Sequence, residues 1–268
     1  MAHQNKAKHV KRMSVKAIAR RVKKMVDLRT EIIENGVEKV HVRLQPGNSK
    51  TGKAVWTVSG IPIADCPAKC ARIDEVDEKG CVPLGKGGCG FTGCYDIQNV
   101  CFQTTVQKDR ARNSAIHMKD RERFWKEVEE QVVENKVEEL RINVGGDLDY
   151  LDMLYINDMA QRQKGTDILF FTKDDDSLNK FLDTYGDFEG NVHYLLSAWI
   201  GMELKNPHNV PESHLIWEDG STSLPEYAEH VSYCGGNCTE CHRANAGCWK
   251  MHKADNLEEK QYQILFAH

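Results

Sequence analysis

The chain has 268 residues, of which 40% are hydrophobic and 28% charged, and these values are ordinary for a globular protein. The length suits one large α/β domain with appendages, or two small domains. The formal net charge is -4. No apolar run reaches the length of a transmembrane helix and no secretory signal is visible, so we expect a cytoplasmic protein that does not enter a membrane.

Residues 1–30 form a predicted basic helical arm. Residues 1–26 contain nine Lys or Arg and no Asp or Glu, whereas the rest of the chain is acidic. A basic arm on an acidic body can bind the phosphates of a nucleic acid, or a protein partner. Apolar residues also recur at helical spacing between Val10 and Val26, which is typical of an amphipathic helix that docks on the body with its charges in water.

Residues 31–231 carry the main α/β pattern. Two early strands are predicted at 40–44 and 54–58, and a glycine-rich polar loop follows at 66–94. Beyond it the sequence predicts helices at 97–118, 122–137, 151–162 and 177–184, and strands at 140–144, 167–172, 192–196 and 215–217. Strands that alternate with helices at this spacing imply parallel strands with crossover helices. We therefore expect an α/β fold, in the form of a partial β/α barrel of the TIM type.

The ten cysteines fall into two groups, one on the 66–94 loop with Cys101 beyond it, and one in a predicted C-terminal metal module at 232–268. Without an export signal the chain sits in a reducing compartment, where clustered cysteines bind metal more often than they form disulfides. The later group, with C-x3-C-x2-C-x6-C spacing, comprises Cys234, Cys238, Cys241 and Cys248. The earlier group comprises Cys66, Cys70, Cys81, Cys89 and Cys94. We expect Cys101, on the following helix, to be a buried thiol.

The spacing of the later group favours an iron–sulfur cluster over zinc. A four-cysteine zinc site usually has two close cysteine pairs separated by a longer gap, whereas here three cysteines fall within eight residues and the fourth lies seven beyond. Zinc stays open as the alternative, and His242 can replace a thiolate or act as a neighbour of the metal site. Trp249 is expected to cover the centre from solvent or to belong to the core.

The segment from Arg141 to Leu148 is the second informative motif. A strand ends in Gly145-Gly146-Asp147 just before a helix, and the glycines allow a ligand to approach the backbone while the carboxylate can accept a bond from an amine. In β/α barrels the carboxyl ends of the strands line the active site. An ordinary strand-to-helix turn, with Asp147 capping the next helix, is the simpler alternative.

A cysteine loop after an early strand, followed by a strand ending in Gly-Gly-acid, is similar to the radical S-adenosylmethionine enzymes. That resemblance implies three cysteines that hold a [4Fe–4S] cluster with one open iron, and a Gly-Gly-Glu motif that contacts the amino group of S-adenosylmethionine. This chain departs from the pattern, because it has Asp147 in place of the Glu. The usual C-x3-C-x2-C triplet is also missing from the early loop and occurs instead at Cys234, Cys238 and Cys241.

Over roughly residues 45–268 the chain also resembles the phage gene-product-88 domain family. The shared motifs, in order, are Asn48-Ser49-Lys50-Thr51-Gly52-Lys53, Cys66-Pro67, Cys94-Tyr95, Arg141 to Asp147, Phe171-Thr172-Lys173, Ser197-Ala198-Trp199, Cys248-Trp249 and the closing Ile264-Leu265-Phe266-Ala267-His268. The family pattern implies Cys66 and Cys94 as ligands with either Cys70 or Cys89 between them. Cys89 is the preferred candidate, and Cys81 belongs to an apparent insertion at 71–88.

These observations predict an iron–sulfur protein with two [4Fe–4S] clusters that cleaves S-adenosylmethionine for radical chemistry on an unknown substrate. The candidate S-adenosylmethionine and pocket residues are Asn143, Gly145, Gly146, Asp147, Tyr95, Thr172, Lys173, Ser197 and Trp199. Two alternatives stay open. One is a non-catalytic phage-type protein with structural zinc or iron–sulfur sites that binds nucleic acid or a bacterial host protein. The other is a cluster-bearing redox protein that does not use S-adenosylmethionine.

Overall fold

The structure is a computed structural model that describes residues 15–47, 52–62, 64–66, 83–84, 88–89, 104–143, 145–198, 204–216 and 222–266. Within these ranges the helices are α1 (Val15–Glu34), α2 (Thr104–Lys119), α3 (Arg121–Glu134), α4 (Tyr150–Arg162), α5 (Asp175–Tyr185) and α6 (Cys238–Arg243). The strands are β1 (Val55–Val58), β2 (Pro83–Leu84), β3 (Gly88–Cys89), β4 (Glu139–Ile142), β5 (Asp167–Thr172), β6 (Val192–Ala198), β7 (Glu212–Ile216), β8 (His230–Tyr233) and β9 (Gln261–Phe266). Short 3-10 turns lie at Val37–Lys39 and Gly247–Trp249.

Seven strands form one open sheet in the order β1-β4-β5-β6-β7-β9-β8, and every neighbouring pair is parallel. The predicted α/β class is therefore confirmed. The first five strands follow chain order, as crossover connections predict. The last two do not, because β9 lies between β7 and β8. The segment predicted as a separate C-terminal module thus contributes β9 and the second half of β8 to the main sheet. The two short strands β2 and β3 form an antiparallel pair of their own.

The two faces of the sheet are covered differently. Successive residues of a strand point to opposite faces, and one set of strand residues, which includes Leu140, Phe170 and Leu196, packs in a core with side chains from α2, α3, α4 and α5. The opposite set, which includes Leu169 and Leu195, packs against Trp249 and the cysteines of the C-terminal segment. We call these the helical face and the cysteine face. The four helices α2 to α5 thus lie on the helical face, whereas the short helix α6, which connects β8 to β9, lies on the cysteine face.

The basic helix α1 docks on the body through its apolar side. Val22 and Met25 are fully buried, and the helix packs along α2. Near its end, Arg29 Nη1 lies 2.7 Å from Asp65 Oδ1 and 3.0 Å from Ser114 Oγ. The amphipathic arrangement expected from the sequence is therefore present over the described part of the arm.

The prediction of a strand at 40–44 is wrong, although these residues do alternate between buried and more exposed positions, as they would in a strand. Val42 and Leu44 are buried as a strand pattern requires. Their backbone N–H groups, however, donate to side chains of α3: Val42 N to Glu127 Oε2 at 2.7 Å and Leu44 N to Gln131 Oε1 at 3.2 Å. Polar side chains of the helix satisfy the extended backbone, so no neighbouring strand is needed.

No helix in the described ranges is long and apolar enough to cross a membrane.

Candidate metal centre

Four cysteines converge where the C-terminal segment crosses the cysteine face. Cys234 follows β8, Cys238 and Cys241 lie in α6, and Cys248 lies in the second 3-10 turn. All four are free thiols of intermediate burial. The helix α6 can start here because the side chain of Asn237 caps it by accepting a bond from Glu240 N at 3.3 Å. This local fold brings together the four residues that the spacing had predicted as one ligand set.

The charges of the four sulfurs act on one another. Burial is the largest effect and raises the pKa of Cys234, Cys241 and Cys248. Neighbouring thiolates within the group raise the pKa of each of these three further. Four sulfurs that repel one another's charge are stabilised together by a cation among them, and metal binding then releases their protons. Without such a cation, burial and the neighbouring sulfurs disfavour the thiolate forms of Cys234, Cys241 and Cys248.

The spacing of the sulfurs bears on which metal fits. Among the described residues, Asp174, Asp175 and Asp176 are the one group of three potential ligands whose atoms all lie within 4.8 Å of one another. No three of the four sulfurs are therefore that close. In a tetrahedral zinc site, with Zn–S of about 2.3 Å, the sulfurs would lie about 3.8 Å apart. Among the described residues the four thiols are therefore not drawn together as closely as the ligands of a single tetrahedral zinc ion.

Apolar side chains close the centre on the sheet side. Cys238, Cys241 and Cys248 pack against a buried cluster of Val55, Leu169, Phe171, Leu195, Trp249 and Met251. Trp249 is 3% exposed, and its Nε1 donates to the carbonyl of Cys238 at 3.1 Å. Trp249 therefore belongs to the core, as one of the two expectations held, and the cysteines pack against its cluster. An apolar wall excludes water, which strengthens every electrostatic interaction at the site.

His242 fastens the cysteine segment to the sheet. Its Nδ1 lies 3.1 Å from Glu139 Oε1 and its Nε2 lies 2.6 Å from Asp167 Oδ2. These two carboxylates belong to the first residues of β4 and β5. Both ring nitrogens face carboxylates, so neither is directed at a cysteine sulfur. The centre accordingly lies toward the amino ends of these strands.

Sequence reasoning missed Arg141 as a part of this site. It lies on β4, with Nη1 3.6 Å from Cys238 Sγ and its guanidinium carbon 5.0 Å from the centroid of the Phe171 ring. The available signal was a charged residue between the apolar residues Leu140 and Ile142. Its partners lie far away in the sequence and could not be read from it.

Cys66 lies at the opposite, carboxyl end of the strands, next to the Gly145-Gly146-Asp147 motif. The two loops are joined by backbone bonds: Gly60 N donates to Gly145 O at 3.1 Å, and Asp147 N donates to Asp65 O at 2.9 Å. Gly146 has φ +87°, and a Cβ on Gly145 would lie 2.9 Å from Pro62. The paired glycines therefore serve the close approach of these two loops.

The side chain of Asp65 anchors the loop that carries Cys66. Its Oδ1 accepts from Arg29 Nη1 at 2.7 Å and from Ser114 Oγ at 2.9 Å, and its Oδ2 accepts from Ile61 N at 2.5 Å. Burial raises the pKa of this carboxyl group, and the backbone bond from Ile61 and the charge of Arg29 oppose that effect. Sequence reasoning missed this anchor as well.

Asp147, Thr172 and Lys173, three of the candidate pocket residues, come together in the structure. Asp147 Oδ1 accepts from Thr172 Oγ1 at 2.7 Å and from Leu148 N at 2.8 Å. Its Oδ2 accepts from Lys173 N at 2.9 Å, and Lys173 Nζ lies 3.4 Å away. Asp147 does not cap the next helix, because Asp149 is the cap of α4. The carboxylate instead ties the end of β4 to the end of β5.

The remaining predicted residues are dispersed or lie outside the described ranges. Asn143, with φ +53°, donates its backbone N–H to Val58 O at 2.8 Å. Ser197 points to the cysteine face, with Oγ 3.2 Å from Ser213 Oγ, whereas Thr172 points to the helical face. Cys89 is described only as a backbone position of β3. Cys70, Cys81, Cys94, Tyr95, Cys101 and Trp199 lie outside the described residues.

Comparison of the chain with protein-family models, with curated proteins and with solved structures finds no match.

Proposed function

We propose that this chain is an iron–sulfur protein whose C-terminal centre binds a [4Fe–4S] cluster through Cys234, Cys238, Cys241 and Cys248. The grouping of these four thiols, whose charges act on one another and three of which pack against an apolar sheet face, is the observation that carries the proposal. Such a cluster, once bound, gains and loses single electrons. The chain itself supplies the four thiolates, the apolar wall that excludes water, and the cation Arg141 beside one sulfur.

The fold proposed for the whole chain is a partial β/α barrel. Two observations support it: β1, β4, β5, β6 and β7 follow one another in chain order, and α2 to α5 pack on one face. In a doubly wound sheet the helices would cover both faces. The cysteine face is then the concave, inner face of the barrel, as in the radical S-adenosylmethionine enzymes and the phage gene-product-88 domain family that the sequence resembles.

A second cluster is proposed at the carboxyl ends of the strands, on Cys66 with Cys94 and either Cys89 or Cys70. Gly60 and Asp65, which precede Cys66 in the chain, are bonded directly to the Gly145–Asp147 loop, which supports the predicted pairing of cluster and motif. S-adenosylmethionine binding there would require its amino group to reach Asp147 Oδ2. The amino group of the ligand would replace the contact between Lys173 Nζ and Asp147 Oδ2, which is long at 3.4 Å.

The test is anaerobic purification of the full chain with iron, sulfide and zinc measured on one sample, followed by EPR of the reduced protein with and without S-adenosylmethionine. Two clusters, one of them perturbed by the ligand, are expected. Loss of that perturbation in Asp147→Asn, with iron content unchanged, would support the motif's role. Zinc without sulfide would show that the iron–sulfur proposal is wrong.

A cluster-bearing redox protein that does not use S-adenosylmethionine is the second candidate, because both oxygens of Asp147 already accept bonds within the protein. It predicts iron and sulfide without any spectral response to the ligand.

The third candidate is a non-catalytic protein of a phage-carrying bacterial cytoplasm that binds nucleic acid or a host protein. The docked helix α1 leaves Arg20, Lys23 and Lys24 exposed, which favours a phosphate-bearing partner. It predicts nucleic-acid binding that weakens steeply with added salt and with Lys23→Gln and Lys24→Gln together.

A further inference from the structure

Arg141 is the cation that lies against the four-cysteine centre. It occupies the third position of β4, and strand alternation directs its side chain to the cysteine face. Nη1 is 3.6 Å from Cys238 Sγ, within hydrogen-bond range for sulfur. The guanidinium carbon lies 5.0 Å from the centroid of the Phe171 ring on the next strand. The planar group is therefore held between an aromatic ring and a sulfur.

The strand that carries Arg141 holds it on the cysteine face. Because β4 is paired on both sides, with β1 and with β5, its backbone fixes the position from which the side chain extends. A fixed charge in a water-poor site interacts more strongly than one in solvent.

We propose that Arg141 is a positioning residue that sets the charge balance of the four-cysteine centre and favours its more negative state. This inference rests on the proposed iron–sulfur function. When the bound [4Fe–4S] cluster takes one electron from a low-potential reductant such as dithionite, no bond forms or breaks, and the thiolate-bound centre becomes more negative by one unit. A cation at hydrogen-bond range stabilises the more negative state more strongly, and so makes reduction easier.

Three variants of the full chain separate this role from a general loss of positive charge. Arg141→Gln removes the charge at the centre, and Arg141→Lys keeps a charge but loses the planar fork over Phe171. Arg243→Gln is the matched control. Arg243 is the last residue of α6, two positions from Cys241, and it is exposed, so water screens its charge. Circular dichroism checks that each variant is folded.

The first measurement is the midpoint potential of the C-terminal cluster after anaerobic reconstitution with iron and sulfide, from an EPR-monitored titration with dithionite. In Arg141→Gln we expect the equilibrium constant for one-electron reduction to fall about tenfold, which corresponds to about 59 mV. Arg141→Lys should show a smaller fall, and Arg243→Gln should stay within about twofold of the wild type.

The second measurement uses Co²⁺ alone as the probe, so that it does not depend on a cluster. Binding to the metal-free protein is followed by thiolate-to-cobalt absorption. Assembly of four thiolates around one divalent ion also leaves a net negative centre, so we expect Arg141→Gln to bind about tenfold more weakly and Arg243→Gln to bind as the wild type does. If Arg141→Gln does not fold, the midpoint potential and the Co²⁺ affinity of Arg141→Lys are compared with those of Arg243→Gln instead.

The outcomes separate the two proposals. If the wild type binds Co²⁺ but assembles no cluster, the iron–sulfur proposal is wrong and the cobalt affinities alone decide the role of Arg141. If Arg141→Gln and Arg243→Gln change both quantities equally, the role of Arg141 is overturned while the cluster proposal stands. A wild type that takes up neither metal overturns both.

Discussion

Asp147 is a single carboxylate whose position could be predicted and whose partners could not. The sequence places it at the end of a strand, beside two glycines, and the structure confirms that place. Its partners Thr172 and Lys173 lie 25 and 26 residues further along, on the next strand and its end. Their motif was recognised, but no local pattern says that a lysine and a carboxylate in separate strand-end motifs will be buried together.

We expect Asp147→Asn to lower the free energy of unfolding by about 3–5 kcal/mol, because it leaves the buried ammonium of Lys173 without its counter-charge. The two side chains are 1% and 6% exposed, so water replaces little of the lost interaction. Urea unfolding followed by circular dichroism measures the change. The control is Asp176→Asn, which breaks the exposed pair with Lys205 at 3.3 Å and should cost about 0–1 kcal/mol. Equal costs for the two variants would contradict this account.

At the scale of elements, local periodicity located β1, β4, β5, β6 and the helices α3 to α5, because each buries a regular apolar stripe. Local periodicity gave a wrong strand at residues 40–44, where the side chains of Glu127 and Gln131 accept the backbone N–H groups that a neighbouring strand would otherwise accept. It also missed β8, whose residues His230–Tyr233 are mostly exposed, so no alternating burial marks it. The insertion of β9 between β7 and β8 is a long-range pairing that no local pattern encodes.

A buried charged network joins β7 to the start of β9. Glu212 accepts from Asn206 Nδ2 at 2.8 Å, its Oε2 lies 3.0 Å from His214 Nε2, and it forms an ion pair with Lys260. Burial raises the pKa of this carboxyl group, but the bonds from His214, Asn206 and Lys260 outweigh burial and lower it to about 2. A folded pKa below the unfolded value means that ionised Glu212 stabilises the fold above the unfolded pKa.

We therefore expect the stabilisation from Glu212 to be complete above about pH 5 and to be lost as the pH falls to about 2, with a total on the order of 3 kcal/mol. Thermal unfolding midpoints measured between these pH values should show this loss. In Glu212→Gln the protein should be less stable near neutral pH, and its stability should fall less steeply with acid. If the stability of the wild type and of Glu212→Gln fell equally steeply with acid, the network would not stabilise the ionised form of Glu212.

At the scale of the whole molecule, two groups of sequence motifs lie at opposite ends of one sheet. The C-terminal cysteines occupy the cysteine face near the amino ends of the strands, where His242 meets Glu139 and Asp167. Cys66 and the Gly145–Asp147 loop lie at the carboxyl ends. Spacing along the chain predicted which cysteines belong together in the later group. It could not predict the relative placement of the two groups, which depends on how the strands pair.

This separation predicts a local response to cluster removal. The regular structure of the segment from Cys234 to Met251 consists of the short helix α6 and one 3-10 turn. In the proposed holoprotein four metal bonds close this segment, so we expect its amide protection to depend on the cluster. Hydrogen–deuterium exchange of the reconstituted and the chelator-treated protein should show loss of protection in α6 and the Gly247–Trp249 turn, while β5 and β6 stay protected by the helical-face core.

Cys248→Ser should reproduce this pattern. Cys66→Ser should leave the protection of α6 unchanged, because it alters the opposite end of the sheet, and an equal loss of protection in both variants would show that the two ends do not respond independently.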